Sequence, residues 1–282
     1  MTPRSDAGNG AGRSLELDRV TQRYPSSTND TTEFVAMQDI SLEIPAGQFV
    51  SVVGPTGCGK STMLSAISGL RPASDGQVRI GGEVVTGIRS DVGFIFQQDA
   101  LLPWRTALQN VELSLRFRGR PKSESRERAR EWLARVGLLD FADRYPHQLS
   151  GGMRKRVAVA STLVYEPDIL LMDEPFSALD IQTRTLMEND LLHVWDEAGK
   201  NTVLFVTHDL EEAIGMSDRI LVLTASPGRL LGDYKIDLPR PRDLLEVKMT
   251  EEFTELYRAI WKDLEGEVLA ANKLRIPDAV GN

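Results

Sequence analysis

Apolar residues fall along this chain in two rhythms. Alternating runs at Leu15, Leu17 and Val20 and at Ile40, Leu42 and Ile44 predict two antiparallel strands, joined by a long loop through the polar stretch Pro25 to Glu33. Phe49 to Val53 is apolar throughout and predicts a buried strand. That strand stops at Gly54, and Ser61 to Leu70 then reads as a helix closed by Gly69 and Pro72. Between Asn110 and Tyr165 apolar positions recur at about 3.6 residues among many Arg and Glu, which predicts a helical insert. From Ile169 the rhythms alternate, with strands at Ile169–Met172, Thr202–Val206 and Arg219–Leu223 and helices over Gln182–Glu197 and Leu210–Ser217. The alternation predicts an α/β fold with a mainly parallel sheet, helices packed on it, and a small antiparallel sheet at its start. A helical stripe at Phe253, Leu256, Tyr257, Ile260, Trp261 and Leu264 predicts a C-terminal helix packed on its own domain.

Composition narrows the function. A chain of 282 residues, 41% of them hydrophobic, can bury a sizeable core as one large domain with an inserted or appended subdomain. The division expected is a flexible tail over residues 1–14, a main domain over 15–240 with a helical subdomain near 100–165, and a helical extension over 241–282. A net charge of −8 argues against a broad basic field for nucleic acid. The Arg-rich stretch from Arg116 to Arg135 is interspersed with Glu124, Glu127 and Glu131, so it reads as a salt-bridged helix surface. No run approaches the roughly 18 apolar residues of a membrane span, and Met1 to Arg13 has no apolar core of a signal peptide. The chain is therefore expected to be soluble and cytosolic. With Cys58 as its single cysteine, it has neither a disulfide framework nor the thiols for a structural zinc site.

Two segments carry chemistry. Gly54-Pro55-Thr56-Gly57-Cys58-Gly59-Lys60-Ser61 fits the phosphate-loop pattern G-x-x-x-x-G-K-[ST], and it lies between a buried strand and a helix start. Its glycines let successive backbone N–H groups and the helix N-terminus face phosphate, Lys60 would reach the β- and γ-phosphates, and the Ser61 hydroxyl would hold Mg²⁺. Cys58, inside the loop, reads as a small packing residue. Ile169-Leu170-Leu171-Met172-Asp173-Glu174 is an apolar strand delivering two acids to a nucleotide site, Asp173 for Mg²⁺ and Glu174 as the base for the attacking water. His208 follows another apolar run and projects to the same sheet edge, whereas His147 and His193 have no partner at metal-ligand spacing.

In this setting Leu149-Ser150-Gly151-Gly152-Met153 resembles the L-S-G-G-Q signature of the nucleotide-binding subunits of ATP-binding cassette (ABC) transporters, departing at Met153. Gln97 in Phe96-Gln97-Gln98, Asp180 in Ser177-Ala178-Leu179-Asp180 and His208 follow the family's order. The resemblance covers about Leu15 to Leu238. The stretch from Lys60 to Asp173 has room for the family's helical insert and none for the long coiled coils of its DNA-repair relatives.

The resemblance implies a P-loop ATPase fold and a head-to-tail pair of cassettes. Each ATP would lie between the phosphate loop, Gly54 to Thr62, of one chain and Ser150, Gly151 and Gly152 of the other. His208 would contact the γ-phosphate, Gln97 would sense Mg²⁺ and the water, and Asp180 would bridge the dimer. Tyr24 matches the place of an aromatic stacked on adenine, with Phe34 as its rival.

The segment Asp99 to Arg105, with Met153-Arg154-Lys155-Arg156 and Leu238-Pro239-Arg240-Pro241, resembles importers of nitrate, taurine and other sulfonates. This implies a cytoplasmic, peripheral motor that serves a membrane permease and, through it, an external solute-binding protein. Leu102, Pro103 and Trp104 are then candidates for the permease contact. Two alternatives keep the same catalytic residues: a soluble ABC-type ATPase acting on nucleic acid or ribosomes, and the motor of an exporter.

Overall fold

The computed structural model describes residues 12–25, 33–197 and 201–275. Two long strands open it, β1 (Leu15–Pro25) and β2 (Glu33–Ile44), paired antiparallel with Leu15 opposite Ile44 and Tyr24 opposite Phe34. Next come β3 (Phe49–Val53), α1 (Lys60–Ile67), β4 (Asp75–Ile80), β5 (Glu83–Val84) and β6 (Val92–Ile95). Three helices follow, α2 (Ala107–Arg116), α3 (Lys122–Arg135) and α4 (Gly151–Leu163). The alternating segment is β7 (Ile169–Asp173), α5 (Ile181–Glu197), β8 (Thr202–Val206), α6 (Leu210–Met216), β9 (Arg219–Leu223) and β10 (Leu230–Lys235). The chain ends in α7 (Leu244–Val247) and α8 (Glu251–Arg275).

Two sheets result. A small antiparallel sheet runs β2-β1-β4-β5, and the main sheet runs β10-β9-β3-β8-β7-β6 with β10 alone antiparallel. The central strands are apolar on both faces because both are covered, as parallel sheets require. Phe49, Leu170, Met172, Val203, Phe205, Ile220 and Val222 face one core with helices α2 to α6 and α8. Val50, Val52, Ile169, Leu171, Leu204, Val206, Leu221 and Leu223 face a second core with α1 and the antiparallel sheet. Trp195 of α5 meets Phe49 edge to face at 5.4 Å, a contact that locks α5 onto the sheet.

The expected strands and helices from Phe49 onward lie where the pattern put them, with two differences. Helix α1 ends at Ile67 rather than Leu70, because Gly69 turns left-handed at φ +74° and packs so closely on Gly87 that a Cβ would lie 2.0 Å from its carbonyl oxygen. Strands β4, β5, β6 and β10 gave no clear signal. β5 is a two-residue exposed strand, β10 alternates on an exposed edge, and β6 carries Gly93, where a Cβ would strike Pro167 and Thr162 at 2.8 Å.

Of the tail expected over residues 1–14, residues 1–11 lie outside the described residues; the Arg13 carbonyl accepts a bond from Thr202 Oγ1 at 2.6 Å. The C-terminal stripe packs on its own domain as expected, burying Phe253, Ile260 and Leu264 while α8 contacts α6, β9 and β10. The Arg-rich α3 region is salt-bridged, with Arg120 to Glu124 at 3.0 Å, Arg116 to Glu112 at 3.9 Å, and Arg128 paired to Glu166.

Candidate functional site

The parallel strands β3, β7 and β8 end at one edge of the main sheet, the place where this architecture leaves a ligand crevice. There a cleft of about 460 Å³ is lined by Tyr24, Phe34, Ala36, Thr56, Gly57, Gly59, Lys60, Ser61, Thr62, Gln97, Asp173, Glu174 and His208. Gly57 at φ +89° and Gly59 at φ +95° let the loop after β3 curl, and a Cβ on Gly59 would meet the Ala36 carbonyl at 2.8 Å. Among the described residues no side chain caps the N-terminus of α1, which leaves its first N–H groups to face an anion. Buried Lys60 donates to the carbonyls of Gly54 at 2.7 Å and Pro55 at 3.0 Å. Gly54 and Pro55 thus hold the lysine from behind rather than line the cleft. Cys58 turns into the core, and burial pushes its thiol pKa up, which fits packing rather than reactivity.

Acids and their partners face this loop. Ser61 Oγ donates to Asp173 Oδ1 at 3.0 Å, joining the start of α1 to the end of β7. Burial raises the Asp173 pKa, the bond from Ser61 opposes this, and the neighbouring Glu174 carboxylate adds to it. Glu174 holds φ +43°, a left-handed conformation uncommon for a non-glycine residue, and its N–H is fixed on the Val206 carbonyl at 2.9 Å. Its Oε2 lies 3.1 Å from His208 Nδ1 and accepts a long bond from Gln97 Nε2 at 3.4 Å. At the rim, the Tyr24 hydroxyl pairs with Thr62 Oγ1 at 3.2 Å, and the Arg71 guanidinium covers one ring face at 4.8 Å. Phe34, half exposed, stands opposite Tyr24 on β2.

Comparison with known proteins decides the family. The ABC transporter family matches residues 37–177. An uncharacterized ABC transporter ATP-binding protein of Methanocaldococcus jannaschii is 48% identical over 92% of this chain and 94% of its own length. The chain belongs to the ABC transporter family. A taurine import ATP-binding protein of Rhizobium johnstonii is 43% identical over 87% of this chain and 94% of its own length. A solved ATP-binding cassette, described as a dimer in a post-hydrolysis state bound to ADP and Pi, superposes with a TM-score of 0.70 at 36% identity, covering 80% of this chain and all of that one. The cassette described here is accordingly an ATP-binding and ATP-hydrolysing subunit of that family.

The remaining motif residues of the ABC cassette lie apart from the cleft. Ser150 caps α4, its Oγ accepting from Met153 N at 3.2 Å, and Gly151 and Gly152 form the first turn. Met153, standing where the family usually has Gln, packs against the core. Asp180 caps α5 through Thr183 N at 3.0 Å, and that bond lowers the pKa of the exposed carboxyl. None of these residues lines the cleft of their own chain.

Three residues of structural consequence were not foreseen. Lys155, buried, donates to the carbonyls of Phe96 and Gln97 at 3.0 Å each and so fixes the backbone that carries Gln97. Ser177 Oγ accepts from Gln97 Nε2 at 3.3 Å and donates to the Glu174 carbonyl at 3.0 Å. Arg184 donates to the carbonyl of Leu179 at 3.3 Å and to Asp209 at 3.2 Å, tying the Asp180 turn to the His208 turn.

Proposed function

We propose that this cassette powers an importer of a small anionic solute of the nitrate, sulfonate or taurine kind. The observation that carries the ATPase chemistry is the convergence of Lys60, Ser61, Asp173, Glu174, Gln97 and His208 on one cleft. ATP phosphates would lie on the loop N–H groups and Lys60, and Glu174 would take the proton of the attacking water while His208 contacts the γ-phosphate. Tyr24, braced by Arg71 and Thr62, would present its other face to adenine.

Mg²⁺ fits the donor set. Ser61, Asp173 and Gln97 offer hard oxygens, and two adjacent carboxyl groups at a buried strand end would gain from a divalent cation. When bound, the metal supplies charge neutralisation on the phosphates; Ser61, Asp173 and Gln97 would hold it.

We further assign residues 15–240 to the cassette, with a helical subdomain over about 100–165, and residues 241–282 to a C-terminal helical extension. Ser150, Gly151, Gly152 and Asp180, outside their own cleft, would complete that of a second identical chain. Among the described residues no helix is long and apolar enough to cross a membrane. The chain would therefore sit peripherally on the cytoplasmic face, meet an integral permease, and depend indirectly on an extracytoplasmic binding protein. The permease contact would use a groove of about 300 Å³ lined by Phe94, Phe96, Leu101, Leu102 and Phe117, beside Trp104, which is 70% exposed. Asn110 clamps that segment, accepting from Leu102 N at 2.8 Å and donating to the Arg105 carbonyl at 3.1 Å.

Affinity purification of the tagged chain from gently solubilised membranes tests the partner. A stoichiometric multi-span permease is the expected companion. Recovery from the soluble fraction with RNA or ribosomal proteins would overturn the importer reading and leave the ATPase chemistry standing. The solute is then read from uptake assays with radiolabelled taurine, alkanesulfonate and nitrate in cells lacking this chain.

A further inference from the structure

Behind His208 lies a second cavity of about 440 Å³, whose wall includes Arg184, Glu188, Glu212, Lys248, Tyr257 and Trp261. Two of these acids are buried, Glu188 of α5 at 1% exposure and Glu212 of α6 at 4%. Among the described residues no N–H or O–H donor of fixed hydrogen reaches either carboxyl oxygen of Glu188. The Lys248 ammonium engages Glu211 instead, at 3.2 Å. Glu188 and Glu212 line this cavity from helices α5 and α6; burial raises the pKa of both, and the neighbouring Glu212 carboxylate adds to the rise at Glu188.

Glu212 is in turn tied to the His208 turn. Its Oε2 accepts from Thr207 Oγ1 at 2.5 Å, and Thr207 Oγ1 in turn accepts from Asp209 N at 3.0 Å. Asp209 caps α6 through Glu211 N at 2.9 Å and Glu212 N at 3.3 Å. The turn from Thr207 to Asp209, with His208 at its centre, is thus pinned at both ends to a buried acid on α6. Arg184 reinforces the link, its Nε 3.6 Å from Glu212 and its Nη1 3.2 Å from Asp209.

We infer that Glu188 and Glu212, sharing one proton, are a positioning pair for ATP hydrolysis that fixes the Thr207–Asp209 turn and thereby holds His208 at the γ-phosphate. The inference rests on the assignment of His208 to that phosphate. Neither acid touches nucleotide, so the pair acts through the turn alone. Burial and the nearby Glu212 carboxylate push the Glu188 carboxyl up to about 8, so the proton is present at neutral pH and leaves on the alkaline side. The groups that face Glu188 are Arg184 on its own helix, Asp209, Glu211 and Glu212 of the α6 segment, His208, Lys248 after α7 and Tyr257 of α8. Loss of the proton sets two buried carboxylates, one on α5 and one on α6, against each other.

The test is steady-state ATP turnover by the full chain with Mg-ATP, measured across the alkaline range. Wild type should show an alkaline limb in kcat approaching about tenfold per pH unit, with KM for ATP unchanged. Glu188→Gln keeps a neutral donor to Glu212 and should move that limb up by about one pH unit or more. Glu188→Leu keeps volume without the donor and should lower kcat at every pH, a loss that Gln does not share.

A limb in Glu188→Gln superimposable on wild type, or full kcat in Glu188→Leu, would overturn the inference. His208→Ala separates it from its premise, because undiminished turnover in that variant removes His208 from the phosphate, and with it the role of the pair in hydrolysis. Thermal melting reads the shared proton directly. The folded state holds a proton that the unfolded chain releases, so wild-type Tm should fall as pH rises from the ordinary carboxylate range toward about 8. Glu188→Gln should lose that decline, and an unchanged decline would refute the shared proton.

Discussion

His208 Nδ1 lies 3.1 Å from Glu174 Oε2, so the residue read as γ-phosphate contact and the residue read as base are already in hydrogen-bond reach. The two come from the ends of different strands, β8 and β7, and Glu174 accepts a left-handed backbone to meet its partner. A carboxylate oriented by an imidazole and an amide is arranged to receive a proton from water.

Removing that acceptor should separate binding from chemistry. Glu174→Gln should still bind Mg-ATP but lose turnover by about 10²-fold or more, the usual size of general-base assistance. The same variant should accumulate as an ATP-dependent dimer, because a bound nucleotide that is not cleaved keeps the shared site closed. Stopped ATPase assays and light scattering read the two effects. Normal turnover would remove Glu174 from the role of base, and an ATP-saturated monomer would count against the shared site.

Lys60 sets a contrasting expectation. Its ammonium now satisfies two loop carbonyls, at 2.7 and 3.0 Å, and would exchange part of that bonding for phosphate. Lys60→Ala should therefore weaken nucleotide binding itself, in contrast to Glu174→Gln. Titration calorimetry with ATP decides this, and unchanged affinity would remove Lys60 from the phosphates.

Much of this site could be read from the chain because its parts are contiguous. Gly54 to Ser61 is one uninterrupted segment, and Asp173, Glu174 and His208 each end an apolar run that is buried on both sides. The Ser150 segment and Asp180 have no such local signature; only resemblance to a family pointed to them, since the partners they imply lie on another chain. Lys155 and the Glu188–Glu212 pair were illegible for a different reason. Each charged residue sits among other polar ones on a helix, Lys155 between Arg154 and Arg156, and reads as solvated surface until packing reveals its burial. Edge strands such as β10 were missed because an exposed ladder has no apolar run to announce it.

The aromatic rim separates two neighbours. Tyr24→Ala should cost roughly 1 kcal/mol of ATP affinity, about fivefold, by removing a stacking face. Tyr24→Phe keeps that face and gives up only the bond to Thr62, so its loss should be smaller. Phe34→Ala should fall below Tyr24→Ala in effect, because among the described residues no cation covers the Phe34 ring as Arg71 covers Tyr24. Fluorescence titration with a nucleotide analogue orders the three, and a larger loss in Phe34→Ala would transfer the stacking role to β2.

Lys155 offers the sharpest separation of positioning from binding. Its Nζ holds the carbonyls of Phe96 and Gln97, and Asp99 at 3.6 Å balances its charge inside the fold. Burial lowers the Lys155 pKa, and the Asp99 carboxylate opposes that shift. Lys155→Met preserves the stem and removes the donor, leaving two carbonyls short of partners at a cost of about 1–3 kcal/mol in stability. Gln97 then loses its fixed backbone while the phosphate loop, on another element, is untouched. The expected signature is a lowered Tm with kcat reduced and ATP affinity maintained. A variant that melts lower yet keeps full kcat would assign Lys155 to the fold alone and release Gln97 from dependence on it.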